Sequence, residues 1–221
     1  MVEEEFAMDF NGGLRAGGYD YICGVDEAGR GCLAGPLFAA AVILDPSRPV
    51  TGLADSKRLS PARREELASA LRARALAYGV ASVGEREIDA RGIEWANRIA
   101  FQLAVEDLLA RFPHFARAAV LVVIDGNRRA LSLPFPQMCV VRGDSCSSAV
   151  GAASILAKTA RDSYVLEVIH PAYPQYRFDL HKGYATRGHR AALQLWGPTP
   201  FHRRSFRRVA PGDSGIAARG R

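Results

Sequence analysis

The chain has 221 residues, of which 48% are hydrophobic and 24% are charged, as in an ordinary globular protein. Its formal net charge of +6 favours a polyanionic partner. The acidic segment Met1 to Phe6 is unlike a secretory signal peptide, and every apolar run is too short to span a membrane. The four cysteines lack zinc-binding spacing and favour free thiols, so we expect a reducing, cytoplasmic location.

The spacing of apolar residues predicts strands and helices that alternate along the chain. Strands are expected at 21–25, 37–44, 78–83, 120–124 and 138–141. Helices are expected at 60–74, 87–111, 145–168 and 186–196. The first two strands form a hairpin, so this order predicts an α/β fold whose central mixed sheet is flanked by helices.

One domain accounts for most of the chain. Residues 1–18 contain glycine and lack periodicity, which indicates a loose lead-in. Residues 19–208 are expected to form the domain, with a helical C-terminal portion. Residues 209–221 are rich in Gly, Ala and Arg, which predicts a disordered basic tail. No exposed apolar seam is evident in the sequence, so we expect a monomer.

Acidic residues follow three apolar runs of the predicted sheet. Asp26 and Glu27 follow the first run, Asp125 follows the run at 120–124, and Asp144 comes shortly after the run at 138–141. Functional groups of an open α/β sheet gather beyond its strand ends, so these acids are expected to meet. Crowded carboxylates repel one another unless cations neutralise them, which favours two Mg²⁺ or Mn²⁺ ions acting on a phosphodiester.

Each acid also has a simpler interpretation when it is taken alone. An aspartate after a strand often caps a helix or forms a turn. Asp144 could cap the helix that begins at Ser145, and Asp125 precedes Gly126-Asn127, a common turn sequence. The shared position of the acids at strand ends is what favours a metal site.

Several motifs resemble those of type 2 ribonuclease H, the ribonuclease HII family. The segment Gly24-Val-Asp-Glu-Ala-Gly-Arg-Gly31, followed by Leu33-Ala-Gly-Pro36, is similar to the family signature. Further matches follow in order at Asp55-Ser-Lys57, Ile124-Asp-Gly126, Gly143-Asp144, Ala153–Lys158 with Arg161-Asp162, His181-Lys-Gly-Tyr184 and His202–Phe206. Together they span about residues 20–208, nearly the whole chain.

This resemblance implies a ribonuclease H-like fold and hydrolysis of RNA paired with DNA. It also implies nicking on the 5′ side of single ribonucleotides in duplex DNA, which leaves 3′-hydroxyl and 5′-phosphate ends. Asp26, Glu27, Asp125 and Asp144 would be the catalytic, metal-binding carboxylates, with Asp26 bridging two metal ions.

The resemblance also implies which residues bind the substrate. The backbone of Gly29-Arg30-Gly31 would read the 2′-hydroxyl group that distinguishes RNA from DNA. Tyr184 would pack against the nucleotide at the RNA-to-DNA junction. The candidate phosphate contacts, which could also form an ordinary solvated basic surface, are Lys57, Arg142, Lys158 and Lys182.

Two positions depart from the family pattern, and one helix matches it only loosely. Cys32 stands where the family usually has proline, and Arg142 replaces a lysine. Asn97, in the loosely matching helix, receives no role. Competing interpretations are type 3 ribonuclease H, which normally lacks this signature and has an additional N-terminal domain, another nuclease or integrase of the same fold, and a hybrid-binding module without catalysis. The complete set of four acids argues against the last.

Overall fold

A five-stranded sheet forms the centre of the protein. The computed structural model describes residues 17–53, 59–207 and 209. The strands are β1 (Tyr21–Ala28), β2 (Leu37–Ile43), β3 (Ala77–Val83), β4 (Val120–Asp125) and β5 (Gln137–Val140), arranged in the order β3-β2-β1-β4-β5. β1 pairs antiparallel with β2 and parallel with β4, so the sheet is mixed, as predicted.

Eight α-helices flank the sheet or follow it in the described part of the chain. They are α1 (Pro61–Arg74), α2 (Glu85–Arg91), α3 (Ile93–Arg111), α4 (Gly143–Cys146), α5 (Ser148–Tyr164), α6 (His170–Ala172), α7 (Phe178–His181) and α8 (Arg187–Trp196). A π-helical turn at Val165–Ile169 joins α5 to α6, and short 3-10 turns lie at Pro113–Arg117 and Pro174–Tyr176. None of the helices described is long and apolar enough to cross a membrane.

Two helices begin where the sequence predicts, because a side chain caps each of them. The Ser60 hydroxyl accepts a hydrogen bond of 3.2 Å from the backbone N–H of Arg63, and Pro61 occupies the first helical position of α1. The Thr186 hydroxyl accepts a similar bond of 3.2 Å from His189 at the start of α8.

Three predicted boundaries are wrong. β1 continues past Val25 to Ala28 because its pairing with β2 extends that far, so the first two acids lie within the strand. The helix predicted at 87–111 is divided into α2 and α3 at Gly92, where φ is +83°. The helix predicted at 145–168 is interrupted by the extended conformation of Ser147, so α4 forms separately before α5.

Two hydrophobic layers cover the two faces of the sheet. α3 packs on one face, against residues such as Val25 and Ala41, and α5 packs on the other, against Ala40 and Val42. α5 comes especially close to β1: a Cβ atom at Gly24 would lie 2.1 Å from the backbone carbon of Ala149. Glycine is therefore required at position 24, and this close packing brings α5 up to the acids of β1.

Some predicted features lie outside the described residues. These are residues 1–16 of the expected lead-in, Lys57 among the candidate phosphate contacts, and residues 210–221 of the expected basic tail.

Candidate active site

The parallel pairing of β1 and β4 brings two acids to the same edge of the sheet. Val25 is paired with Ile124, so the next residues, Asp26 and Asp125, are neighbours. Asp26 is buried, and Asp125 is the last residue of β4. The sequence predicted that acids after three apolar runs would meet, and this pairing brings together those of the first and second runs.

The pleat of β1 turns its two adjacent acids toward different layers, since successive side chains of a strand point to opposite faces. Asp26 forms a hydrogen bond with Ser154 of α5. Glu27 forms one with Asn97 of α3. Each helix layer therefore orients one of the two carboxylates.

Burial and mutual repulsion make these carboxylates hard to ionise. Burial raises the pKa of Asp26 well above its ordinary value, the charges of Glu27 and Asp125 raise it further, and the hydrogen bond from Ser154 opposes the rise. Burial also raises the pKa of Glu27 to about 7, while nearby Arg30 lowers it and Asp125 raises it. A bound cation would relieve this repulsion.

An open cleft of about 230 Å³ contains most of the predicted site residues. Its lining residues are Asp26, Glu27, Ala28, Gly29, Arg30, Gly31, Asp125, Ser154, Lys158 and Tyr184. Three acids, the complete Gly-Arg-Gly turn, a lysine and the tyrosine thus share one cavity. This grouping joins residues up to 158 positions apart in sequence.

Three other predicted site residues do not line this cleft. Asp144 is buried in α4, next to Gly143, whose backbone N–H donates a hydrogen bond of 2.7 Å to Asp125 Oδ1. It does not cap α5, because that helix begins only after Ser147. Arg142 is exposed and has a left-handed backbone, and the Lys182 ammonium donates to the backbone carbonyl of Asp179.

The Gly29-Arg30-Gly31 turn is constrained at its first residue and open at its last. Gly29 has φ of +90°, and a Cβ atom there would lie 1.9 Å from Nε of Arg161. A Cβ atom at Gly31 would meet nothing within 4 Å. Arg30 forms an ion pair with Glu94 of α3, which also binds Arg128 at 2.9 Å.

Two fully buried arginines bind the backbone that follows this turn. The guanidinium of Arg161 donates to the carbonyls of Ala34 (3.1 Å), Pro36 (3.3 Å) and Lys182 (2.9 Å). The guanidinium of Arg203 donates to the carbonyl of Gly35 through two nitrogens, at 2.9 and 2.7 Å. It also donates to the carbonyl of Arg30 at 2.9 Å. We call Arg161 and Arg203 the arginine pair.

Several groups surround the Tyr184 ring at the mouth of the cleft. The ammonium of Lys158 lies 5.1 Å from the ring centroid, and the guanidinium carbon of Arg161 lies 5.6 Å from it. The Tyr184 hydroxyl forms a hydrogen bond with Cys32, and burial together with Cys32 raises the pKa of Tyr184 to about 12. Lys158 also donates a hydrogen bond of 2.7 Å to Asp162.

No role was predicted from the sequence for Ser154, Asn97 or Arg161. One signal was available: Ser154, Lys158 and Arg161 recur at helical spacing, which places them on one face of α5. Two partners of Arg161, Pro36 and Ala34, lie 125 and 127 residues away in the loop before β2, and such distant contacts leave no local pattern.

Comparison with known proteins identifies the family. The sequence model of the ribonuclease HII family matches residues 23–209 of the chain. The chain belongs to the ribonuclease HII family. It is 52% identical over 185 residues to ribonuclease HII of Cupriavidus necator, covering 84% of this chain and 75% of the relative. The corresponding enzyme of Dechloromonas aromatica is 50% identical over 189 residues, covering 86% and 92%.

Solved structures agree with this assignment. The chain is similar to ribonuclease H2 of Pyrococcus horikoshii, with a TM-score of 0.68, 25% identity, and coverage of 86% of this chain and 95% of that one. It also shares its fold with Bst-RNase HIII, with a TM-score of 0.60, 17% identity, and coverage of 86% and 68%. As a ribonuclease HII, the chain is a divalent-metal-dependent endoribonuclease that acts on RNA–DNA hybrids.

The arginine pair generates a stability prediction. Replacing Arg161 by methionine keeps most of the side-chain volume but leaves three carbonyl groups without their donor. Because an unsatisfied buried polar group costs about 1–3 kcal/mol, we expect Arg161→Met to lower the free energy of unfolding by about 3 kcal/mol or more, measured by urea denaturation. Arg63→Met, which removes a surface ion pair with Glu66, should change it by about 0.5 kcal/mol or less. Equal effects of the two substitutions would contradict the structural role of Arg161.

Proposed function

We propose that this enzyme nicks duplex DNA on the 5′ side of a single embedded ribonucleotide, in addition to cleaving the RNA strand of longer hybrids. The supporting observation is the cleft, in which Asp26, Glu27 and Asp125 lie beside the Gly29–Gly31 turn and Tyr184. Carboxylates suited to phosphodiester hydrolysis thus adjoin a turn whose backbone a ribose could approach closely.

The donor chemistry of the cleft fits divalent metal ions. Asp26, Glu27 and Asp125 supply hard carboxylate oxygens, which suit Mg²⁺ and Mn²⁺. Because these carboxylates repel one another, a bound cation would stabilise them. Among the described residues, no three or more His, Cys, Asp or Glu side chains already surround one point as a metal site. The related Bst-RNase HIII has been solved in complex with Mn²⁺.

We propose that two ions bind during catalysis, held by these three acids and by Asp144. The assignment of Asp144 is supported by its neighbour Gly143, whose N–H is hydrogen-bonded to Asp125 of the cleft. When bound, such ions activate a water molecule and stabilise the leaving 3′ oxygen. The protein itself holds Asp26 through Ser154 and Glu27 through Asn97, so both carboxylates are oriented before the substrate arrives.

Substrate selection is assigned to the backbone of the Gly29-Arg30-Gly31 turn and to Tyr184. A 2′-hydroxyl both donates and accepts hydrogen bonds, so fixed backbone groups can recognise it. The Tyr184 ring is 40% exposed, which leaves a surface for packing against a nucleotide.

The basic residues around the cleft have different proposed roles. Lys158 already contacts Asp162 and the Tyr184 ring, so we assign it to orienting that ring as well as to binding phosphate. Arg142, Lys182 and Lys57 remain proposed phosphate contacts, which would position the duplex without reading its sequence.

A monomeric state and a cytoplasmic location complete the proposal. All four cysteines are free, which fits a reducing compartment. Size-exclusion chromatography with light scattering tests the oligomeric state.

The main prediction concerns cleavage. With Mg²⁺ or Mn²⁺, the protein should cut a labelled DNA duplex containing one ribonucleotide, on its 5′ side, and leave the matched all-DNA duplex intact. Asp125→Asn should bind the substrate in a gel-shift assay but cut it at least about 100-fold more slowly, because the metal site loses a ligand. Equal cleavage of the two duplexes, or full activity of Asp125→Asn, would overturn the proposal.

Metal binding should be visible without activity. Mn²⁺ should raise the melting temperature of the wild-type protein, because a ligand that binds only the folded state stabilises it. Asp26→Asn should show little or no such shift, and its metal-free form should melt above metal-free wild type, since a repelling charge is removed. Asp45→Asn, which changes an acid paired with Arg48, should keep the full shift. An undiminished shift in Asp26→Asn would place the metal elsewhere.

Because there is open space beside Gly31, a substitution there can test recognition of the ribose without changing the stability of the protein. Gly31→Ala should leave the melting temperature nearly unchanged, because the added Cβ meets nothing in the protein. The methyl group would project where the ribose is proposed to lie, so kcat/KM for the single-ribonucleotide duplex should fall about tenfold or more. Gly188→Ala, at another glycine with open space around it, is the control and should stay fully active. Full activity of Gly31→Ala would show that the turn does not approach the ribose.

A further inference from the structure

Three buried histidines lie beneath Tyr184 and outside the cleft. His181 ends α7, His189 is in α8, and His202 follows α8. The rings of His181 and His189 stack with centroids 4.3 Å apart and planes 11° apart. Nε2 of His189 lies 3.0 Å from Nε2 of His202. Nothing in the proposed chemistry uses these three buried side chains.

The backbone N–H of Thr199 at one end of this cluster determines the tautomers of His202 and His189. The backbone N–H of Thr199 donates to Nδ1 of His202 at 3.0 Å, so that nitrogen must accept. A neutral imidazole has one donor and one acceptor, and His202 therefore carries its proton on Nε2 and donates it to His189. His189 must then carry its proton on Nδ1, which faces the carbonyl oxygen of Tyr184 at 2.9 Å.

The hydrogen bonds thus run in one direction from Thr199 through His202 and His189 to the Tyr184 carbonyl. We call this series the histidine relay. Burial lowers the pKa of His189 to about 4 and that of His202 to about 3, so both rings are neutral at pH 7. The relay requires both rings to be neutral. If Nε2 of His189 and Nε2 of His202 both carried a proton, they would face each other as two donors with no acceptor between them.

The turn before Tyr184 has a strained backbone that must be held by surrounding contacts. Lys182 has φ of +48° and Gly183 has φ of +86°, and a lysine in the left-handed region costs free energy that surrounding contacts must offset. His181 accepts a hydrogen bond of 3.2 Å from Gly183 N–H and bonds through Nε2 to the Tyr176 carbonyl at 2.8 Å. Arg161 holds the Lys182 carbonyl.

We infer that His189 is a positioning residue, which fixes the backbone of Tyr184 so that its ring lies correctly against the nucleotide. The inference rests on the proposed function. Cys32 holds the hydroxyl end of the same side chain, and Lys158 and Arg161 lie against its ring. The histidine relay adds a side-chain constraint at the main chain. Two backbone hydrogen bonds also act there, from Tyr184 N–H to the His181 carbonyl (2.9 Å) and from Thr186 N–H to the Tyr184 carbonyl (2.8 Å).

Two different substitutions of His189 can test the roles of its two ring nitrogens separately. In His189→Asn, the amide nitrogen takes the place of Nδ1 and can still donate to the Tyr184 carbonyl. In His189→Gln, the amide takes the place of Nε2, faces His202, and leaves that carbonyl with the Thr186 N–H (2.8 Å) as its remaining donor. We expect kcat/KM on the single-ribonucleotide duplex to fall about tenfold or more in His189→Gln and to recover to within about threefold of wild type in His189→Asn.

A double-mutant cycle distinguishes positioning from general loss of structure. If His189 acts through Tyr184, His189→Gln should reduce kcat/KM less than about twofold in a Tyr184→Ala background. Mn²⁺-induced thermal shifts should be unchanged in His189→Gln, because the carboxylates are untouched. Equal losses of activity in the two backgrounds would overturn the inference, as would a fully active His189→Gln.

The wild-type protein provides a test that does not depend on a variant folding or on activity. Long-range ¹H–¹⁵N spectra at pH 7 should show His189 as the Nδ1–H tautomer and His202 as the Nε2–H tautomer. The opposite tautomers, or a charged ring at either position, would overturn the relay. If wild type failed to cut the ribonucleotide duplex, the proposed function would fail, and these spectra would still decide whether the relay exists.

Discussion

The hydrogen bonds of the arginine pair hold the active-site turn in place. Arg161 and Arg203 direct their donors to main-chain carbonyls between Arg30 and Pro36, and Arg161 also reaches the Lys182 carbonyl before Tyr184. A guanidinium has five donors in a rigid plane, so it can bind several carbonyls at once. Burial lowers the pKa of Arg203 to about 10, and it stays charged at pH 7. The turn, the tyrosine and α5 therefore keep fixed relative positions.

A second constraint is the alternation of side chains along β1. Because neighbouring residues of a strand point to opposite faces, a pair of adjacent acids cannot be oriented by one helix alone. α5 supplies Ser154 on one face and α3 supplies Asn97 on the other. The close contact of Gly24 with Ala149 brings the first helix near enough. The two layers that form the core are thus also the two supports of the carboxylates.

Local patterns in the sequence predicted most of the fold. Continuous apolar runs marked the strands, Ser60-Pro61 marked the start of α1, and acids after apolar runs predicted that Asp26 and Asp125 would be neighbours. The breaks at Gly92 and Ser147 were missed, because apolar spacing continues across the first and Asp144-Ser145 resembles an ordinary helix start. The contacts of Arg161 and Arg203 with the backbone between Arg30 and Pro36 join distant segments, so no local pattern could indicate them.

The bond from Arg203 to the carbonyl of Arg30 joins residues 173 positions apart. During synthesis on the ribosome, the sheet and α5 are complete before this arginine emerges, so the turn beside the acids acquires this support only after they are made. Contacts of such long range are also slow to form, because a large loop must close first. A nascent chain would therefore hold its carboxylates in place before it could hold the turn that is proposed to recognise the ribose.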